Sequence, residues 1–206
     1  MSGKSKVNWI LFCGLLMVVG YLVLKSSYRG AYESADYTVI RSDGRFQIRD
    51  YPELTLAITS MRKGSAGNDG SFGRLFNYIS GSNSGKQKIA MTTPVLMDNG
   101  STPTLTADSP GQMAFVMPRK TVSKGVPDPA NPEVQVRTRP AGQFAVVQFS
   151  GVNRQDKLAE QEGLLRNWLA SQGYLGADQI EIAGYDPPWI PGPLRRNEIL
   201  IRLNTE

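Results

Sequence analysis

The 206-residue chain contains no histidine. That absence excludes Ser-His-Asp triads, Cys-His nucleophile pairs, histidine-ligated zinc and a proximal histidine on haem iron. The chain has one cysteine, Cys13, and it lies within an apolar run. No intrachain disulfide can form, and thiolate metal clusters are excluded. Excess charge is scarce too. The formal net charge is +5, but Lys4, Lys6, Lys25 and Arg29 all precede the first acid, Glu33. From residue 30 onward 19 basic residues face 18 acidic ones. No Lys/Arg run with interleaved aromatics suggests a nucleic-acid groove, so no nucleic-acid partner is expected.

One long hydrophobic run is present. Residues 7–24 read VNWILFCGLLMVVGYLVL, with no charge. As a helix, 18 residues rise about 27 Å, close to the roughly 30 Å of a bilayer core. Trp9 and Tyr21 stand near its ends, where amphipathic rings favour the interface. The chain continues KSSYRGAYES without a small-x-small cleavage site, so the run reads as an uncleaved signal-anchor. The N-terminal amine tips the orientation toward a cytoplasmic N-terminus and an exported, periplasmic-side domain.

The remainder alternates strand and helix patterns. Tyr37–Arg41 and Arg45–Tyr51 flank Ser42-Asp43-Gly44, which predicts a hairpin. Leu54–Met61 predicts a strand. In residues 71–81 Phe72, Leu75, Phe76 and Ile79 fall at i, i+3, i+4 and i+7, the inward face of a helix ended by Gly81. Lys88–Met97 reads as a strand interrupted by Pro94, Met113–Met117 as another, and 119–133 as a surface connection. Val134–Thr138 and Gln143–Phe149 flank Arg139-Pro-Ala-Gly142, a second hairpin signature. A second helix is expected over 155–171, with Leu158, Leu165, Trp168 and Leu169 inward.

Two alignments suggest an internal repeat. GRFQIRDY (44–51) aligns with GQFAVVQF (142–149), and Ile89-Ala90 with Pro94 resembles Ile182-Ala183 with Pro187. The expected organisation is an anchor region, 1–30, and one domain, 31–206, with halves at about 37–118 and 134–204. Such halves must pack together to bury their elements, and the seam is a natural place for a ligand cleft.

Three stretches, YISGSNSGKQKIAMTTPV (78–95), VPDPANPEVQVRTRPAGQFAVVQFSG (126–151) and GYDPPWIPGPLRRNEI (184–199), together resemble the SOUL haem-binding protein family. The resemblance covers about residues 36–204. It implies an α+β fold: a distorted, mostly antiparallel β-barrel of two pseudo-repeated strand-helix-strand units related to the GyrI-like fold, with two flanking helices. It implies haem or another tetrapyrrole as ligand and no established catalysis. Histidine ligation, used by some members, is unavailable here.

Haem requires an apolar slot, cations for its propionates and optionally an axial ligand. The candidate ligand-binding residues are Arg49, Met61, Lys88, Met91, Tyr185, Trp189, Arg195, Arg196 and Glu198. Met91, or the phenolate of Tyr51, Tyr78 or Tyr185, is the candidate axial ligand. Each has a bland alternative, since strand methionines usually fill cores and charged loop residues are usually solvated or braced. The leading expectation is a membrane-anchored tetrapyrrole binder that buffers or delivers haem. The alternatives are a GyrI-like binder or hydrolase of another small molecule using Glu198 and Tyr185, and a structural module with a vestigial pocket.

Overall fold

The computed structural model describes residues 32–61, 69–98 and 111–204, together with Phe12. The proposed anchor, 7–24, otherwise lies outside the described residues. Among the described residues no helix is long and apolar enough to cross a membrane. Residues 34–206 make up one compact unit, and residues 1–33 belong to another.

The larger unit is α+β. The chain runs β1 (Glu33–Ser34), β2 (Thr38–Asp43), β3 (Phe46–Tyr51), β4 (Leu54–Met61), α1 (Ser71–Ile79), β5 (Thr92–Thr93), β6 (Val95–Asp98) and β7 (Gly111–Val116). It continues through α2 (Arg119–Lys124), β8 (Val134–Arg139), β9 (Gly142–Ser150), α3 (Gln155–Ser171), β10 (Gly176–Gly184), a 3₁₀ turn (Gly192–Leu194) and β11 (Arg196–Leu203). Nine strands form one antiparallel sheet in the order β2-β3-β9-β11-β10-β6-β7-β4-β8, and β1 pairs with β5 apart from it.

The sheet is open and does not close into the expected barrel, because among the described residues no ladder joins β8 to β2 or β3. It is nevertheless strongly curled. Seven inter-strand steps separate β3 from β8, about 33 Å if the sheet were flat. Yet the Arg139 guanidinium carbon of β8 lies 5.0 Å from the Tyr51 ring centre of β3. Side chains bridge the gap that backbone hydrogen bonds leave open.

Alternation along each strand then assigns two faces. Tyr51, Leu54, Leu56, Ile58, Leu96, Ala114, Val116, Phe144, Val146, Ala183 and Leu200 fill the concave face. On the convex face Leu158, Leu165, Trp168 and Leu169 of α3 pack with Ile48, Val147, Ile199 and Ile201. Leu75, Tyr78 and Ile79 of α1 pack with Met61, Met113, Phe115 and Met117.

The β2–β3 hairpin forms as predicted, and Gly44 at its tip has φ of 57°, a left-handed conformation that favours glycine. The second predicted hairpin does not form. β8 pairs with β4, whereas β9 is enclosed by β3 and β11, so Pro140-Ala141 joins two strands that are not neighbours in the sheet. A turn signature gives a change of direction but not a partner, and both edges of β9 are occupied by better-matched apolar strands.

The strand order is symmetrical about the β10–β6 junction, with β3 corresponding to β8, β9 to β4, β11 to β7 and β10 to β6. Strand order therefore pairs β9 with β4, not with β3 as the alignment of 44–51 with 142–149 would have it. The Ile-Ala resemblance is also positional coincidence: Ile182 and Ala183 lie within β10, whereas Ile89 and Ala90 precede β5 in irregular chain. Residues 88–91 are not strand. Pro94, after a cis peptide bond, separates β5 from β6. Finally, 119–133 contains the short helix α2, entered through Pro118, so three helices rather than two occur among the described residues. Proline immediately before a helix leaves no N–H unsatisfied there.

Candidate functional site

The nine candidate residues separate into three places. Arg49, Tyr185, Arg196 and Glu198 meet at one end of the concave face. β3 supplies Arg49, β11 supplies Arg196 and Glu198, and the chain after β10 supplies Tyr185. Arg49 grips Glu198 through two bonds, Nη1 to Oε2 at 2.8 Å and Nη2 to Oε1 at 3.0 Å. Both side chains have 0% exposure. Arg196 Nε and Nη2 donate to Glu198 Oε1 at 3.1 and 2.6 Å, and the Tyr185 hydroxyl donates to Oε2 at 2.9 Å.

A carboxylate offers about four lone-pair sites, and this one receives five donor contacts. Burial pushes the Glu198 carboxyl up, but hydrogen bonds and charge from Arg49 and Arg196 outweigh it and hold it below its ordinary value. Glu198 is thus an ionised structural acceptor, with no vacant lone pair for a general base. The guanidiniums of Arg49 and Arg196 also cover the rings of Tyr37 and Tyr185, at 4.1 and 4.0 Å.

The phenols there are poor phenolate ligands. Burial and the Glu198 charge push the Tyr185 hydroxyl far above its ordinary value. Burial likewise raises Tyr51, whose oxygen accepts from Arg49 at 3.1 Å. Tyr78 is pushed up to about 12 by burial and donates to the Pro127 carbonyl at 2.8 Å.

The second place is the proline-rich rim. Arg195 Nε donates to the Ile190 carbonyl at 2.7 Å and its Nη2 to the Pro188 carbonyl. Asp186 accepts from the Arg196 backbone N–H at 2.6 Å, and the Asn197 amide donates to the Gly151 carbonyl at 2.8 Å. These polar residues brace the loop. It presents Trp189 outward, at 70% exposure.

The third place is the α1 layer. Met61 is buried beneath the helix, while Met91 packs against the same cluster and stays half-buried. The Asn83 amide donates to the carbonyls of Tyr78 and Gln87, and Ile89 N–H donates to the Ile79 carbonyl. These bonds fold the segment carrying exposed Lys86 and Lys88 onto the C-terminal end of α1, where cations suit the helix dipole.

α1 does not bury the predicted stripe. At about 100° per residue, Ser71, Leu75, Tyr78 and Ile79 form the inward arc, and all four are buried. Phe72 and Phe76 lie beyond one edge of that arc and are 42% and 49% exposed. Their rings stack at 6.1 Å and 14°, with Phe72 also edge-on to Phe115 at 5.3 Å. Sequence reasoning missed this ledge because it assigned all four apolar residues inward. Tyr78, whose hydroxyl needs its partner at Pro127, takes the place the stripe gave Phe76.

Tested against haem, α1 offers an exposed aromatic ledge, two cations at the helix end and a thioether, Met91, not sealed in the core. These fit the group's apolar face, its carboxylates and a soft iron ligand. The buried phenols and the saturated Glu198 do not.

A model of the SOUL heme-binding protein family matches residues 32–202. Heme-binding protein 1 of Xenopus laevis is 24% identical over 184 residues, covering 86% of this chain and 95% of that protein. Two solved structures share the fold. The C-terminal domain of EcmrR is 14% identical with a TM-score of 0.56, covering 82% of this chain and 99% of that one. An uncharacterized conserved protein from Listeria innocua is 9% identical with a TM-score of 0.57, covering 78% and 92%. With more than three quarters of its length matched by the family model, the chain belongs to the SOUL heme-binding protein family.

Proposed function

We propose that this chain binds haem or a related tetrapyrrole stoichiometrically on the α1 ledge, without catalysing a reaction. The observation carrying the reading is the exposed, stacked Phe72–Phe76 pair. Two large aromatic side chains turned outward on one short helix offer a flat apolar platform. Lys86 and Lys88 would hold the propionates, and Met91, half-buried against the α1 layer, is the soft donor assigned to the iron. Bound haem would supply a redox-active iron. This chain's residues orient the macrocycle and keep water from one of its faces. Membrane anchoring through 7–24, and buffering or delivery of haem at the exported surface, complete the proposal and rest on the sequence alone.

The reading that uses Glu198 and Tyr185 for hydrolysis is disfavoured by the five donors already on that carboxylate.

Haemin titration followed by absorption tests the binding. A saturable change at one equivalent is expected. Phe76→Ser should weaken it about tenfold, the loss of a well-packed aromatic contact. Met91→Ala should shift the spectrum while leaving the stoichiometry unchanged. A non-saturating change, or full affinity in Phe76→Ser, sinks the reading.

A further inference from the structure

The proline-rich rim is built in a way that neither the ionic knot nor the α1 ledge requires. Residues 187–194 carry no charged side chain. Pro188, Trp189, Pro191 and Pro193 are exposed on them. Val152, exposed as well, adjoins this tip, since a Cβ on Gly192 would stand 2.9 Å from its Cγ2. The backbone of the tip is largely satisfied from within. Four of its eight residues are proline and have no N–H to donate. Ile190 N–H donates to the Pro187 carbonyl at 3.1 Å, Leu194 N–H to Pro191 at 2.9 Å and Arg195 N–H to Gly192 at 3.0 Å. The Arg195 side chain takes up the carbonyls on both sides of Trp189, those of Pro188 and Ile190. In water an exposed carbonyl needs no such partner. At a lipid interface it does, because an unsatisfied backbone group is costly there, and tryptophan is a side chain that favours that level.

The chain enters the compact unit at the foot of this loop. Ala35 N–H donates to the Thr93 carbonyl at 2.9 Å. Val95, two positions further on, registers with Gly184, the last residue of β10 before Tyr185. Tyr37 then lies beneath the Arg49 guanidinium at 4.1 Å. Tyr185 and Arg196 belong to the same knot, and they close the base of the loop where Tyr185 N–H donates to the Arg196 carbonyl at 3.2 Å. Leu24, the last residue of the proposed anchor, and Ser34 are ten positions apart, about 35 Å at most when fully extended. A compact unit of this length is about 40 Å across. The tether is therefore shorter than the unit is wide, so the side bearing Ala35, which also bears the rim, stays near the bilayer.

We infer that the rim is a membrane-docking surface: the uncharged tip, led by Trp189, enters the lipid interface of the bilayer that holds the anchor. Five carbonyls, of Pro187, Pro188, Ile190, Pro191 and Gly192, already accept within the loop, so the tip leaves water without stripping them of partners. Trp189 supplies an apolar body for the acyl boundary and an indole N–H for the headgroup side. The inference rests on the anchor reading of residues 7–24 and is independent of haem binding.

The three tryptophans, Trp9, Trp168 and Trp189, make the test internal to the chain. The full chain, Trp9→Phe and Trp189→Phe are each placed in phosphatidylcholine vesicles, with and without bromine on the upper acyl chain, and tryptophan fluorescence is read. Bromine quenches only rings in contact with lipid. Subtracting each variant from the unaltered chain gives the share of Trp9 and of Trp189, while buried Trp168 stays constant. Both shares should be lost in brominated vesicles, and in unbrominated ones the Trp189 share should resist aqueous acrylamide. Loss of the Trp9 share alone, with Trp189 quenched by acrylamide, would leave the anchor standing and overturn the docking. A Trp189 share untouched by either quencher would mean that protein, such as a second copy of this chain, covers the rim, which overturns the docking too. Loss of the Trp189 share alone would keep the docked rim and remove the anchor. Retention of both shares would remove the anchor and the docking together.

Discussion

Among single residues the most consequential is Glu198. Its carboxylate is fully enclosed and shared by Arg49, Arg196 and Tyr185. Removing it leaves the Arg49 guanidinium buried beside Tyr51 and Tyr37 with no counter-charge. Glu198→Ala should therefore cost about 3–5 kcal/mol, the usual penalty for breaking a buried pair from one side, read from urea unfolding midpoints. The pH dependence has a definite sign. The folded-state value lies below the ordinary one, so the contribution is full above about pH 4.3, the unfolded-state value. It is lost as pH falls through the folded-state value. Glu181 works in the opposite sense, because its raised value favours the protonated form. Its burial costs stability above the folded-state value, and acidification relieves that cost. The difference between the unaltered chain and Glu198→Gln should therefore shrink below about pH 4 and hold constant from about pH 5 to 8. A constant difference across the acid range would show that the carboxylate's charge does not matter.

Among the elements, α1 divides its work between two faces. Leu75 is fully buried against the sheet, so Leu75→Ala should lose about 2–5 kcal/mol through the cavity left behind. Phe76 is half exposed, so Phe76→Ala should stay within about 0.5 kcal/mol of the unaltered chain, as surface substitutions do. Thermal unfolding of the two variants distinguishes them. Equal losses would mean that the ledge is a structural part of the core and would weaken the case for a binding platform. The helix's place was readable from periodicity, but its rotation was not. An i, i+3, i+4, i+7 pattern marks an apolar arc about 100° wide, and only the partners available beneath it choose which residues go under. Here Tyr78 went under because the Pro127 carbonyl receives its hydroxyl.

Across the whole sheet the two halves hold each other by exchange. β8 lies beside β4 and β3 beside β9, so the outer strand of each half completes the sheet of the other. The curl that follows brings Arg139 within reach of Tyr51, Phe144 and Glu181. The membrane proposal concerns the full chain as well. If residues 7–24 anchor it, the full-length protein should remain with membranes after alkaline carbonate washing, and a chain beginning at residue 32 should be released. Release of both forms would remove the anchor from the proposal.

Local periodicity was enough to locate the strands β3, β4, β7 and β9 and the helices α1 and α3, because it follows from strand and helix geometry alone. Composition set the limits on chemistry, since absent histidines and a lone cysteine remove whole classes of site. The three motif stretches pointed to the family later matched over residues 32–202. Partnership, by contrast, was settled only in the folded chain. Arg49 and Glu198 are 149 positions apart, and nothing in either neighbourhood announces the other. The false hairpin at 139–142 and the displaced repeat alignment have the same cause: strands choose neighbours by the fit of whole faces. Arg139 and Glu181 escaped sequence reasoning because their burial and pairing arise only in the folded sheet.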